Sequence, residues 1–207
     1  MSKKTKAPIQ LSLTDFVDFV CKAGSSKLTK VKQIKGREKY SPATDFYKPL
    51  REGIVNNHEA GGTKRDLNKV TEGLKDFRKK RNYGEAIDGY KRFWGRKTIS
   101  WFAPPFIHWR IGDVDIRINP ELGLTYDDKF LVIKLYLKSD KLSKDKVGQI
   151  LTLMEGQLRD KVESEVRMAV LDVKNAKLFV KEDDDLSLLA LLNGEARNFE
   201  TIWNSLE

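Results

Sequence analysis

Acidic residues and lysines that could bind a metal ion and a phosphate group are concentrated in the middle of this chain. Residues 112–123 and 130–138 both alternate between polar and apolar side chains, which is typical of strands with one buried face. Asp113 and Asp115 lie on the polar face of the first segment, and Lys134 lies on the polar face of the second. The polar turn before residue 130 predicts a hairpin that brings them together. Carboxylates on one strand and a lysine on the next are the components of a metal-dependent phosphodiesterase site.

Each of these residues also has a purely structural interpretation. Asp113 follows a glycine and is a common residue type in turns. Asp115 and Arg117 fit a solvent-facing pair on one strand, which would contribute little to stability. Glu121 lies where the first segment ends and fits an exposed loop. Lys134, with Lys138 four residues later, fits a hydrated sheet surface.

The spacing of apolar residues, which indicates the helices and strands that must position these side chains, changes near residue 98. Upstream, apolar residues recur at helical spacing, and downstream they alternate. Ser12 and Asp15 indicate a capping box for a first helix, and Ser41 with Pro42 indicates the start of a second. Further helices are predicted at 64–81, at 84–95, from Ser143 onward, and as a final pair after Asp185. Strands are predicted at 98–103, 106–111, 166–173 and 177–182.

Length and composition indicate one principal domain. The chain has 207 residues, 40% of them hydrophobic and 33% charged, and contains no apolar run of the roughly 20 residues that would span a bilayer. Cys21 is the single cysteine, which excludes a disulfide framework and a thiolate cluster for zinc. These features predict a cytoplasmic protein that does not insert into membranes.

Positive charge is concentrated in the first half of the chain. The net charge is +9, and residues 1–100 contain 24 lysines and arginines against 11 acids. Residues 25–39 are polar and basic, so we expect residues 1–39 to form a helix followed by a mobile basic arm. Such a charge distribution favours a polyanionic partner, although a solvated lysine-rich surface is the simpler alternative. The candidate nucleic-acid-binding residues are Lys30, Lys32, Lys35, Lys91, Arg92, Arg96, Lys97 and Lys138.

Three local features give the chain a resemblance to a known enzyme family. They are the serine-containing helix start at 40–46, the acidic strand from Asp113 to Glu121 that precedes Lys134, and the helix from Ser143 that contains Gln149. With this order of elements, residues 40–182 resemble the core of the PD-(D/E)XK nuclease superfamily, particularly its branch similar to RecB and lambda exonuclease.

The resemblance implies a fold, a cofactor and a set of roles. The implied fold is a restriction-endonuclease-like α/β domain over residues 40–207, with a small, mixed, mostly antiparallel sheet flanked by helices. The implied cofactor is Mg²⁺, replaceable by Mn²⁺, and the implied partner is DNA more than RNA. The implied metal ligands are Asp113, Asp115 and Glu121, and the implied catalytic residues are Lys134, Glu121 and Asp115.

One departure from that family leaves the function open. The position two residues before the lysine is acidic in the family, but here it is Val132 for Lys134 and Tyr136 for Lys138. The sequence therefore predicts either a metal-dependent nuclease or a catalytically inactive nucleic-acid-binding or adaptor module on the same scaffold. A protein-interaction domain is the third alternative. Asp172 and Lys174 do have the acid–x–lysine spacing, but the end of a surface hairpin explains them more simply.

Overall fold

Helices and strands of the computed structural model form a mixed α/β fold, which confirms the predicted class; the structure describes residues 7–37, 45–183 and 185–206. The helices are α1 Leu13–Val20, α2 Ser25–Lys35, α3 Lys48–Glu59, α4 Phe77–Trp94, α5 Lys144–Leu158 and α6 Leu188–Ser205. The strands are β1 Ile9–Ser12, β2 Ser100–Phe102, β3 Ile107–Ile111, β4 Val114–Ile118, β5 Leu122–Tyr126, β6 Lys129–Tyr136, β7 Val166–Asp172 and β8 Lys177–Val180. Short 3-10 helices lie at Asp66–Thr71 and Arg159–Lys161. None of the helices in the described ranges is long and apolar enough for a membrane crossing.

The strands form two sheets, where the sequence predicted one. The smaller sheet has the order β1-β4-β3, and the larger has the order β2-β5-β6-β7-β8. Strand β4 pairs in parallel with β1, and β6 pairs in parallel with β7, while the other neighbours are antiparallel. The predicted mixture of mostly antiparallel with some parallel pairing is therefore present, but it is divided between two sheets.

The predicted hairpin between the acidic and the lysine segments is wrong. Strand β4 pairs with β1 and β3, whereas β6 pairs with β5, a strand that the sequence reading assigned to a loop. The turn before β6 is correctly located, because Asp127 and Asp128 have φ angles of 49° and 57°, as a tight hairpin turn requires. Pro120 lacks an amide hydrogen and lies between β4 and β5. One continuous polar–apolar segment is thus two strands in different sheets.

Strand β6 is the centre of the larger sheet and is buried on both faces. Leu131, Ile133 and Leu135 pack with the core residues of α3 and α4, and Val132 and Tyr136 pack with those of α5. The predicted division of the strand into two faces is confirmed. The alternative interpretation of this face as a hydrated surface is wrong for Lys134, which is buried.

The N-terminal segment is part of the fold. The predicted first helix is confirmed as α1, and the Ser12 side chain accepts a hydrogen bond from the Asp15 amide at 3.0 Å. The mobile arm predicted from residue 25 is wrong over Ser25–Lys35, which form α2. Val31 and Ile34 of this helix are buried in the same core as residues of β4 and α5. The many lysines of α2 made its narrow apolar face difficult to recognise from the sequence. The proposed boundary at 39/40 and the helix start at Ser41 lie outside the described residues.

Other predicted helices have different limits. The segment 64–81 contains a 3-10 turn and then a break at Gly73, whose φ is 74°; α4 begins at Phe77 after the N-cap Asp76 and continues through Gly84. The two predicted helices 64–81 and 84–95 are therefore one short turn and one long helix. The final helical pair is a single helix, α6. The helix after Ser143 and the hairpin of β7 and β8 are confirmed.

Candidate functional site

Glu121 and Lys134 form a buried ion pair at the start of β5. The hairpin register places Leu122 opposite Ile133, so Glu121 lies beside Lys134 on the next strand. Lys134 Nζ is 2.6 Å from Glu121 Oε1 and donates a second hydrogen bond, of 2.9 Å, to the Asn119 carbonyl. Glu121 Oε2 accepts the Leu135 amide hydrogen at 2.8 Å. The structure thus brings together two of the predicted catalytic residues.

A cleft of about 210 Å³ opens next to this ion pair. Its walls come from α3, from the segment between β2 and β3, and from the end of β4 with the segment that follows it. Arg51 and Val55, and likewise Glu52 and Asn56, are four residues apart on α3 and therefore form adjacent rows on one face of the helix. The remaining lining residues are Pro104, Phe106, Arg117, Asn119, Pro120 and Glu121.

Two arginines, Arg51 and Arg117, line the cleft together with the acids Glu52 and Glu121. Arg51 Nε is 3.9 Å from Glu121 Oε1, and Arg51 also binds Asp45 Oδ2 at 2.9 Å. Arg117 is exposed on β4 and makes no hydrogen bond or ion pair with the chain across the described ranges. Among the described residues, the Arg117 guanidinium therefore has no acidic partner. It lines the same cleft as Glu121, whose two carboxylate oxygens both accept hydrogen bonds.

The other two predicted metal ligands, Asp113 and Asp115, contact residues other than Glu121. The Asp113 side chain is exposed, and its amide hydrogen is donated to Glu200 Oε1 at 2.7 Å. Asp115 is only 3% exposed and lies 2.7 Å from His108 Nδ1 and 3.4 Å from Arg110 Nε. No three His, Cys, Asp or Glu side chains form a metal-binding group anywhere in the described parts of the chain. The predicted trio of acids therefore does not fit a metal ion.

Most of the predicted nucleic-acid-binding cations have partners within the protein. Lys30 and Lys138 both form ion pairs with Asp18, and Lys146 Nζ approaches the same carboxylate at 3.0 Å. Burial alone would raise the pKa of Asp18, but hydrogen bonds and charge from Lys138 and Lys146 outweigh it and lower the pKa. These lysines are thus held in place to neutralise an acid.

Four further predicted cations bind backbone or side-chain oxygens. Lys35 donates to the Trp203 and Leu206 carbonyls, Lys91 to Asn68, Arg92 to the Lys174 carbonyl, and Lys97 to the Phe93 carbonyl. Lys32 and Arg96 are exposed and make no such contact among the residues that the structure describes. Of the eight predicted residues, only Lys30 and Lys138 are ion-paired with an acid among the described residues, so the other six keep a positive charge that is available to a polyanion.

Gln149, Asp172 and His58 have structural contacts within the protein. Gln149 is buried and accepts a hydrogen bond from Cys21 Sγ at 3.4 Å. Asp172 accepts hydrogen bonds from the amide and side chain of Asn175, as the hairpin-end interpretation predicts. His58 is buried, binds the Tyr90 hydroxyl at 2.7 Å and stacks on Trp94. Burial lowers the pKa of His58 to about 4.

Sequence reasoning missed the contribution of α3 to the cleft. Arg51, Glu52 and Asn56 were not singled out because the apolar positions of that helix, Leu50 and Ile54, drew attention to its buried side. The available signal was that the polar residues Glu52 and Asn56 are four positions apart and so lie on one face of the helix. It becomes informative only when a second element lies opposite that face.

Comparison with known proteins assigns no family to this chain: no protein-family model matches it, and no curated protein matches it.

Proposed function

We propose that this protein binds nucleic acid through contacts of the cleft with the phosphate backbone. The observation that carries the proposal is the exposed Arg117 guanidinium, which lines the cleft together with Arg51. Arginine forms paired hydrogen bonds with phosphate oxygens, and the side-chain amides of Asn56 and Asn119 supply neutral donors beside it. The overall charge of +9 favours a polyanion as the ligand.

Binding is better supported than cleavage because the acids near the cleft are already engaged. One Glu121 oxygen accepts from Lys134 and the other from the Leu135 amide. Asp115 is committed to His108 and Arg110. A cation at Glu121 would have to displace the Lys134 ammonium, which is itself buried. This arrangement favours the inactive nucleic-acid-binding module among the functions that the sequence predicts.

Metal-dependent cleavage is a second candidate, favoured by one specific observation. Glu52 lines the same cleft as Glu121, and its side chain is 56% exposed. Mg²⁺ in proteins is commonly held by one or two carboxylates together with substrate phosphates, so Glu52 and Glu121 would be the residues that hold it. A bound Mg²⁺ would neutralise charge on the scissile phosphate.

Direct binding measurements test the proposal. We expect labelled oligonucleotides to bind at 20 mM salt, with an affinity that falls steeply as salt increases. Arg117→Glu should weaken binding at least tenfold, because it places a negative charge in the cleft. Arg167→Glu reverses an exposed arginine at the start of β7 and is the matched control. No binding by the wild type, or equal losses in both variants, would refute the proposal.

A digestion assay separates the two candidates. Purified protein is incubated with single-stranded and duplex DNA and RNA in Mg²⁺ or Mn²⁺, next to Glu52→Gln and Glu121→Gln. The binding proposal predicts intact nucleic acid in every lane. Product that forms with the wild type, and is lost in both variants, would establish cleavage instead.

A further inference from the structure

The smaller sheet has an outer face that the rest of the described chain leaves open. Trp109, Val114, Ile116 and Ile118 of this sheet point inward and are buried in the core. The alternate residues His108, Arg110 and Arg117 point outward and are exposed. Helices α1, α5 and α6 contact the strands β3 and β4 of this sheet. The inward-facing residues share their core with these helices, so the helices lie on the inner side.

Cations dominate this outer face. The register pairs His108 with Arg117 and Arg110 with Asp115, so the four side chains form one block on neighbouring strands. Asp115 is buried beneath them, with its carboxylate 2.7 Å from His108 Nδ1 and 3.4 Å from Arg110 Nε. The Arg110 side chain is 74% exposed. A ligand on this face would therefore meet guanidinium groups and an imidazole before it met the acid.

An exposed aromatic ring joins this face to the cleft. Phe106 precedes β3 by one residue, is 60% exposed, and lines the cleft together with Arg117. In an extended chain it shares the outer side with His108 and Arg110, over a span of roughly 14 Å at about 3.4 Å per residue. Exposed aromatic rings beside cations stack on unpaired bases, whose faces are accessible only in a single strand. Phe106 therefore favours a single strand over a duplex.

We propose that single-stranded nucleic acid runs from the cleft across the outer face of β4 and β3, with a base stacked on Phe106 and phosphates at Arg117 and Arg110. The proposal rests on the proposed nucleic-acid binding and adds to it the strandedness of the ligand and its path. The path ends near Asp113, where the Glu200 carboxylate accepts that residue's amide hydrogen and the charge becomes negative.

Fluorescence anisotropy with three labelled 12-nucleotide probes tests the path: oligo-dT, a duplex of the same length, and an abasic strand that retains the phosphates. We expect oligo-dT to bind more tightly than the duplex. Phe106→Ala should weaken oligo-dT binding about 5- to 140-fold, the range that corresponds to loss of one stacked base, and leave binding of the abasic strand unchanged. Phe77→Ala removes a ring that is 76% exposed on α4 and is the matched control.

Salt titrations with the same oligo-dT probe test the cationic part. Arg110→Ala should lower the magnitude of the slope of log K against log salt by about 0.7, the value for one lost phosphate contact to a single strand. Arg167→Ala should leave the slope unchanged. Circular dichroism and thermal melting check that every variant is folded.

The outcomes separate this proposal from the one on which it rests. If the wild type binds no probe at 20 mM salt, both proposals fail. If it binds but Phe106→Ala behaves like Phe77→Ala, or the duplex binds as tightly as oligo-dT, the sheet path is refuted and binding in the cleft stands. Displacement of oligo-dT by poly-glutamate at equal charge concentration would also refute it, since charge alone would then account for binding.

Discussion

Two charged regions of this protein contain similar residue types, but cations surround acids in one region and an arginine is exposed without an acidic partner among the described residues in the other. The N-terminal ion-pair cluster consists of Asp15, Asp18, Lys30, Arg37, Lys138 and Lys146, in which cations surround two acids. In the cleft, Arg117 is exposed and has no acidic partner among the described residues, and Phe106 is exposed beside it. The first region joins β6, α1, α2 and α5 to one another, and the second faces outward.

The difference shows that a local excess of lysine does not locate a binding surface. Burial would raise the pKa of Asp15, but hydrogen bonds and charge from Arg37 and Lys30 overcome this effect and lower the pKa. The cations that produce this shift are held by the carboxylate, so their charge is neutralised locally. Binding capacity is therefore expected where a cation has no acidic partner among the described residues, as for Arg117, or stays largely exposed beside one, as for Arg110, whose side chain is 74% exposed.

The largest expected effect is the loss of stability in Asp18→Ala. This change leaves Lys138 without its acidic partner and leaves Lys30 and Lys146 paired only with Asp15 and Asp140. We expect a loss of about 3 kcal/mol in the free energy of unfolding. Urea denaturation measures it, with exposed Asp88→Ala as control. Nucleic-acid affinity should not fall. A stability loss below about 1 kcal/mol would show that the cluster is not a structural unit.

Acid titration should distinguish the N-terminal ion-pair cluster from His58, which lies outside both regions. Since burial gives His58 a pKa of about 4 in the folded state, against 6.5 ordinarily, the unfolded chain binds its proton first as pH falls. Stability should therefore decrease by about 2 kcal/mol between pH 8 and pH 5, and further until the pH passes 4.

Urea midpoints of the wild type and His58→Gln across that range measure the effect of His58. The variant should lose the dependence between pH 6.5 and pH 4. The N-terminal ion-pair cluster should respond only below the ordinary carboxyl pKa of 3.8, because its acids have lowered pKa values. An unchanged pH profile in His58→Gln would exclude this histidine as the source.

A smaller effect is expected for Lys35→Ala. Lys35 donates hydrogen bonds to carbonyls at the C-terminal end of α6, where positive charge is favourable. We expect a loss of about 1 kcal/mol in unfolding free energy with unchanged affinity for nucleic acid. Weakened binding at unchanged stability would place this lysine on the binding surface.

The smallest effect is expected for Lys32→Ala. Lys32 is exposed on α2 and lacks a partner in the described parts of the chain, so its removal should change stability by less than about 0.5 kcal/mol. Affinity for oligonucleotides at low salt should fall by about twofold at most. A tenfold loss would show that α2 contributes directly to binding, as the predicted basic arm implied.

Local patterns in the sequence predicted many individual elements correctly. The cap at Ser12 defined the start of α1, Ser143 defined the start of α5, and the two residues Asp127 and Asp128 defined a tight turn. These features depend on hydrogen bonds and dihedral preferences within a few residues. Strand alternation also predicted the two faces of β6, because side chains on successive residues must point in opposite directions.

Pairing between distant segments was predicted less well. The chain was expected to join the strand containing Asp115 to the strand containing Lys134, but β5 lies between them in sequence and takes the pairing with β6. A short strand such as β1 gave little signal, although it pairs with β4 and covers the sheet edge. Pairing depends on competition among all available strands, which a local pattern does not contain.

For the candidate site, the sequence by itself determined that Glu121 and Lys134 have complementary charges and that a tight turn lies between them in the chain. Only the tertiary structure decided that they neutralise each other, that Asp115 is committed to His108, and that α3 brings Arg51 to the cleft. The reason is physical: the number and type of charges are fixed by composition, but a charge is available to a ligand only if folding leaves it without a partner.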